Sequence, residues 1–518
     1  MAYESATNGA RGGALRSLGG DLTITDSQIS GNQALGGSGA SAFGDAIGGG
    51  VYILAGSATI SDSTFSDNVA RGGDNSGDGA GGGGGVFTAV PTSITDSTFN
   101  GNVARGGDNT PSNTSVGGGL IIYITASATI TGSTFSGNQA IGGNGGTGPF
   151  VGVAQGGAIQ NDSTTSISGS TFDHNQALGG SNGNSGVSNA APFVDYGFGG
   201  AIANSFSMNV TGSTFSHNQA IGGNNSIVND PTDIVGVGGA EGGGFYSEVG
   251  TTATIANSTF DHNEVQGGRG NAGAGAVVLA GEGLGGAIAT GYGGNLYGPN
   301  TLTVTGSTLT QNEAEGGDNN SGTASVAGLV GAGAGAGIAN YAGGTATVSG
   351  SELDHNRARG GSHNTAAGAG AVFAGLGAGG GIFNYLGTFN SPNYGDFTIS
   401  TVSVSHSEIE DNLAQGGGGG NGEGGGIANL LNASTTVDRS ILILNEADGG
   451  DRGAGLGGGA YNDATSSLAM TKDLVTLNEA EGATGIGGGV YTLGTFSRDA
   501  STVIKGNHAS TSDDNVGP

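Results

Sequence analysis

Four histidines stand at one fixed place in a repeating phrase. His174, His217, His262 and His355 each directly precede the asparagine of a Phe-x-x-Asn or Leu-x-x-Asn step, and Asp173, Asp261 and Asp354 directly precede three of them. Imidazole beside carboxylate is a pairing suited to proton transfer and to transition metals. A metal needs ligands converging at ~2.0–2.1 Å from one ion. Stacked parallel strands hold successive copies ~4.8 Å apart, and Gln311 interrupts the column. Side chains projecting in parallel from such a ladder do not converge, so exposed turn histidines are expected rather than a metal centre. The carboxylates come from non-adjacent copies, and none has an obvious partner base. Lyase chemistry would also need Arg or Lys, yet the chain has two lysines, Lys472 and Lys505, and scattered arginines. No catalytic residue is assigned, and a non-enzyme is expected.

Calcium is the one cofactor the sequence leaves open. Asp74 and Asp78, and Asp108 one copy later, lie in flexible, oxygen-rich segments after Gly-Gly. They lack the spacing of an EF-hand and the nine-residue regularity of calcium β-rolls. Sequons occur at Asn113, Asn161, Asn257 and Asn432 and would accept glycans in a suitable host.

The asparagines are the most regular polar residues. They fall at Asn32, Asn68, Asn102, Asn138, Asn175, Asn218, Asn263, Asn312, Asn356, Asn412, Asn445, Asn478 and Asn507. Such a column reads as structural: buried turn amides passing hydrogen bonds from copy to copy, at corners where Asn tolerates left-handed backbone. Three residues earlier stand Phe65, Phe99, Phe135, Phe172, Phe215 and Phe260, continued by Leu309 and Leu353. Before them, Thr-Ile-Thr and Thr-Val-Thr steps alternate in period two and place Ile24, Ile60, Ile94, Ile130, Ile167, Val210, Ile255, Val304 and Val348 on one face. Ala34, Ala70, Ala104, Ala140, Ala177 and Ala220, two residues after the asparagine, fit a cramped corner. A Gly-Gly-small-aliphatic block, as in Gly156-Gly157-Ala158-Ile159, opens each copy.

A repeat of this kind predicts an all-β right-handed parallel β-helix of about 12–13 coils, with three strands per coil, on the order of 60 Å long at ~4.8 Å per coil. The whole chain, 1–518, reads as one solenoid. Asn8-Gly9-Ala10-Arg11 echoes Asn68-Val69-Ala70-Arg71, so the start reads as the tail of a repeat. Apolar segments inside longer Gly-rich inserts, such as Pro149-Phe150-Val151 and Ala276-Val277-Val278-Leu279, predict an extra strand per coil and a flange over about 145–385.

Composition narrows the partners. A net charge of −29 disfavours nucleic acid and anionic lipid. There is no cysteine, and no apolar run reaches the ~20 residues of a membrane span. Outward Thr23/Thr25, Thr129/Thr131 and Thr303/Thr305 raise ice binding, although Ser93, Asn209 and Ala256 break the columns.

Gly157-Ala158-Ile159 with Phe172-Asp173-His174-Asn175, and Gly200-Ala201-Ile202 with Phe215-Ser216-His217-Asn218, resemble the passenger repeats of the chlamydial polymorphic outer-membrane proteins. They resemble equally the wider class of bacterial right-handed β-helix repeat proteins of pectin-lyase-like shape. The resemblance implies an extracellular or cell-surface adhesive or structural role, with host and cell-surface glycans as partners. Coil ends without an amphipathic capping helix would expose strand edges, which predicts self-association end to end into a filament. A carbohydrate-binding or polysaccharide-degrading β-helix, with its site on the flange, is the alternative.

Overall fold

The computed structural model describes residues 9–39, 43–187, 191–248, 250–291, 298, 300–393, 395–450 and 452–518. These residues form a right-handed parallel β-helix, the hand that parallel β-connections adopt. One coil contains the strands Ala46–Ile47, Val51–Ile53, Ser57–Ser61, Thr64–Ser66 and Val69–Arg71. Each pairs in parallel with its equivalents above and below, giving five walls of 13 or 14 strands. Five walls replace the three expected. The first and fifth consist of two- and three-residue strands rich in Gly and Ala, too short and too small to carry an apolar period.

Two other expectations change with them. Ala70 and its equivalents are not corners but the inward centres of the fifth wall, as in Val69–Arg71 paired with Val103–Arg105. Ala10–Arg11 pairs with Ala46–Ile47 in the first wall, so it leads into a coil rather than ending one; Asn8 lies outside the described residues.

The interior has a wide lobe and a narrow one. The wide lobe is lined by Val51, Ile53, Ile60 and Phe65 and their equivalents in one continuous cluster. Ile130, Ile167 and Val210 are direct register partners. Phe65 to Phe260 form an unbroken stack with ring centroids 4.4–5.1 Å apart. Each of these phenyl groups is fully buried, stabilising by about 1.5–3 kcal/mol. In the narrow lobe the first and fifth walls press together around Ala46 and Ala70. The Gly-Gly block turns the chain into the second wall. Gly156 adopts φ +63, and a Cβ on Gly84 would lie 2.3 Å from the carbonyl oxygen of Gly118, so only glycine fits either place.

The mid-chain inserts build a sixth, seven-stranded sheet from Asn184–Val187 to Ala371–Ala374. Its main strands are Ile227–Val237, Ala272–Ala280 and Ser321–Val330. Val151 joins the apolar cluster of this flange. Beneath it, Phe198, Tyr246, Leu284 and Phe383 of the first and second walls pack in a second apolar layer.

Candidate functional site

The corner between the fourth and fifth walls carries both the asparagine column and the histidines. Asn68 shows the pattern inside the tube. Its Oδ1 accepts from the backbone N–H and Nδ2 of Asn32 at 3.1 and 2.9 Å, and its Nδ2 donates to Asn102 Oδ1 at 3.0 Å and to the Ile29 carbonyl at 2.8 Å. The amide-to-amide step recurs up to Asn478–Asn507 at 2.9 Å. The left-handed residue is not the asparagine but the one before it: His174, His217, Gln311 and His355 have φ of 53–54°, and His262 has 52°. Turn geometry therefore tilts these side chains outward while the asparagine points in.

A second ladder escaped the sequence reading. Ser63 N–H donates to Ser97 Oγ, Ser97 to Ser133 and Ser133 to Ser170, each at 3.2 Å, at the corner between the third and fourth walls. The burial of the serine in each Ser-Thr-Phe step is signalled only by its constancy between a turn residue and a threonine.

Outside the tube, the histidines sort by their neighbours. Among the described residues, three ligand-type side chains converge within 4.8 Å of one another only at Asp173, His174 and His217. His174 Nδ1 lies 2.9 Å from Asp173 Oδ2, and His217 Nδ1 lies 3.7 Å from Asp173 Oδ1. The His174 and His217 rings stack at 4.8 Å and 10°, and His217 stacks on His262 at 5.1 Å. Partial burial pushes the Asp173 carboxyl up, but bonds from His174 and Ser216 and the charges of both imidazoles outweigh it and hold it low. His262 turns to Asp261 at 2.9 Å instead, and His355 bridges Asp354 and Asp411. Asp173, Asp261 and Asp354 stand on alternate coils, with Ser216 and Thr310 between them. A column expected not to converge does so once, because the two oxygens of Asp173 face the Nδ1 atoms of two stacked rings.

The calcium candidates are drawn elsewhere. Asp74 and Asp108 pair with Arg71 and Arg105 at 2.8 and 3.3 Å. Asp74 also accepts the Asp108 N–H, and Asp108 that of Asn144, both at 2.9 Å. Asp78 sits beside Asp45, whose carboxyl burial and then Asp78 push up to about 6. Of the sequons, Asn257 and Asn432 are exposed. Asn113 and Asn161 are fully buried, which closes them to glycosylation; Asn161 instead donates to Asn204 at 2.7 Å.

A groove of about 680 Å³ between the fifth wall and the base of the inserts is lined by Gln266, Arg269, Glu315, Asp318, Arg359 and Arg452. Arg359 lies 3.7 Å from Glu315, and Arg269 3.7 Å from Asp318. The third wall shows columns of Thr and Ser in register, Thr129 with Ser93 and Ser166. Under the flange, Tyr196 donates to Glu282 and Tyr341 to Glu241, all fully buried. Burial, then the charge of Glu241, holds the Glu282 carboxyl well above the usual range. Glu241 and Glu423 occupy the first-wall column held elsewhere by Phe198 and Leu284, the signal that would have found them.

No protein-family model matches the chain, and no curated protein matches it. Among solved structures, it is similar to the A-module of the Azotobacter vinelandii mannuronan C-5 epimerase AlgE6, at 11% identity and a TM-score of 0.25, over 94% of this chain and 91% of that one. The class the structure defines is the parallel β-helix solenoid.

Proposed function

We propose that the chain is a non-enzymatic structural and adhesive β-helix, a stiff rod working outside the cell or at its surface. The observation that carries this reading is the asparagine ladder, continuous from Asn32 to Asn507. Its buried amides join every coil to the next, which suits a spacer that must not bend. The resemblance of the repeats to chlamydial passenger repeats supports surface display. The partners proposed are further copies of the chain, meeting end to end or side by side, and cell-surface glycans. Calcium remains a proposed accessory at Asp74, Asp78 and Asp108. The test is attachment of chain-coated beads to cells, with electron micrographs of the purified chain alongside. Attachment without polysaccharide turnover is expected. Turnover that is lost in Asp261→Asn or Asp354→Asn would overturn the reading.

The groove supports a second reading, a binding site for an acidic polysaccharide. Arg269, Arg359 and Arg452 gather there in an otherwise acidic chain, and guanidinium groups match carboxylates in pairs. Retardation in affinity gels containing polygalacturonate, lost in Arg359→Ala, is the expected result. Equal migration of both proteins with and without the polymer would remove this reading.

A further inference from the structure

We propose that Asp173, His174 and His217 form an open binding site for a divalent transition-metal ion, with Zn2+ as the best match, a property separate from the adhesive reading. The donor set is two imidazole nitrogens and a carboxylate, the chemistry that zinc, copper and nickel favour over calcium and magnesium.

Sequence explains why the site forms at this coil. In coils with Asp261 or Asp354, the histidine has a carboxylate directly before it and turns to that one. His217 has Ser216 in that place. Its Nδ1 therefore faces the Asp173 carboxylate of the preceding coil, which already holds His174 on its other oxygen. One carboxylate is thus flanked by two imidazoles. Ser216 Oγ donates to Asp173 Oδ1 at 2.9 Å and orients the carboxylate, as outer-shell partners of metal ligands do.

The ligand atoms already lie within 4.8 Å of one another. Tetrahedral zinc with bonds of ~2.0–2.1 Å needs them roughly 3.3 Å apart. Closing that gap takes only rotation of two rings whose side chains are 64% and 48% exposed. A shallow depression of about 300 Å³, lined by His174, Gln176, His217, Gln219 and Glu264, adjoins them. It leaves room for water in the remaining coordination positions, the open arrangement of three protein ligands plus solvent.

Variants can be chosen that keep the backbone. Gln311 occupies the same left-handed turn position as His174 and His217 with φ 53, so glutamine is tolerated there. The experiment is calorimetric titration of the untagged full chain with zinc chloride, with circular dichroism confirming that each variant is folded. One zinc ion per chain is expected. His217→Gln and Asp173→Asn should each weaken binding at least tenfold, since loss of a mere outer-shell partner costs about 10–100-fold. His406→Gln, an exposed histidine at another left-handed turn, should leave the titration unchanged. Cobalt in place of zinc should give the intense visible bands of a four-coordinate ion in the parent and not in His217→Gln. The proposal is overturned if no zinc binds, if His217→Gln and Asp173→Asn bind as the parent does, or if the zinc is instead removed by His355→Gln.

Discussion

Asn138 donates from Nδ2 to Asn175 Oδ1 at 2.9 Å across 37 residues of sequence and a single step of the helix. Asn175 in turn donates to the Phe135 carbonyl and to Asn218, both at 2.9 Å. Every polar atom of the Asn175 amide is therefore used, and it is fully buried. Replacing Asn175 by alanine strands the Asn138 donors and the Phe135 carbonyl. At about 1–3 kcal/mol for each buried group left unpaired, urea denaturation should register a loss of about 3 kcal/mol or more.

The phenyl stack makes a graded prediction. Phe172 sits between Phe135 at 5.1 Å and Phe215 at 4.7 Å. Phe172→Ala opens a cavity in a closed core and should cost about 3–5 kcal/mol. Phe172→Leu should cost less, because Leu309 and Leu353 already fill the same column with full burial. Thermal melts of the two variants side by side check the ranking.

Backbone crowding separates glycines that look alike in sequence. A Cβ at Gly84 would press 2.3 Å from a carbonyl oxygen, while one at Gly19 meets nothing within 4 Å. Gly84→Ala should lower stability by about 1–3 kcal/mol through overpacking, and Gly19→Ala should be neutral. Equal midpoints in denaturant would contradict the tight seam between walls.

Buried acids set the pH response. Burial, then the charge of Asp463, outweighs the bond from Asn421 and lifts Glu423 from 4.5 to about 7. Burial likewise lifts Asp195 and Asp473 from 3.8 to about 6, against hydrogen bonds that lower them. The folded chain holds these protons more tightly than the unfolded one. Their stabilisation is complete below the unfolded values and is lost as pH rises through 6 to 7. Melting should therefore be higher at pH 5.5 than at pH 8.5. Glu423→Gln should reduce that difference by about 2 kcal/mol of stability, read from denaturation at the two pH values.

How much of this could be read from sequence depended on side-chain size. Phe-x-x-Asn and Thr-Ile-Thr repeat large or distinctive residues at fixed offsets, so the third and fourth walls and the amide column were legible. The first and fifth walls were not, because a strand such as Gly81–Gly82 has no apolar side chain to mark its period. The left-handed turn was misplaced by one residue, since Asn tolerates that conformation as well as His or Gly. The residues of the Asp173 cluster are visible in sequence, but their convergence is not. It depends on Ser216 standing where Asp261 stands one coil later, a contrast that has meaning only once the register is known.

Register is also what a single measurement tests most directly. The chain has no cysteine, so an introduced pair meets no other thiol within the chain. Thr131 and Ser168 are exposed register partners on adjacent coils, with hydroxyls 3.2 Å apart. Their ~4.8 Å strand spacing falls within the ~4.4–6.8 Å that a disulfide spans. Thr211 lies one coil further on, at roughly twice that spacing. Mild oxidation should close Thr131→Cys/Ser168→Cys within the chain, seen as loss of both free thiols in the monomer, and should leave Thr131→Cys/Thr211→Cys reduced. Failure of the first pair, or equal closure of both, would contradict the stacking of one coil directly upon the next.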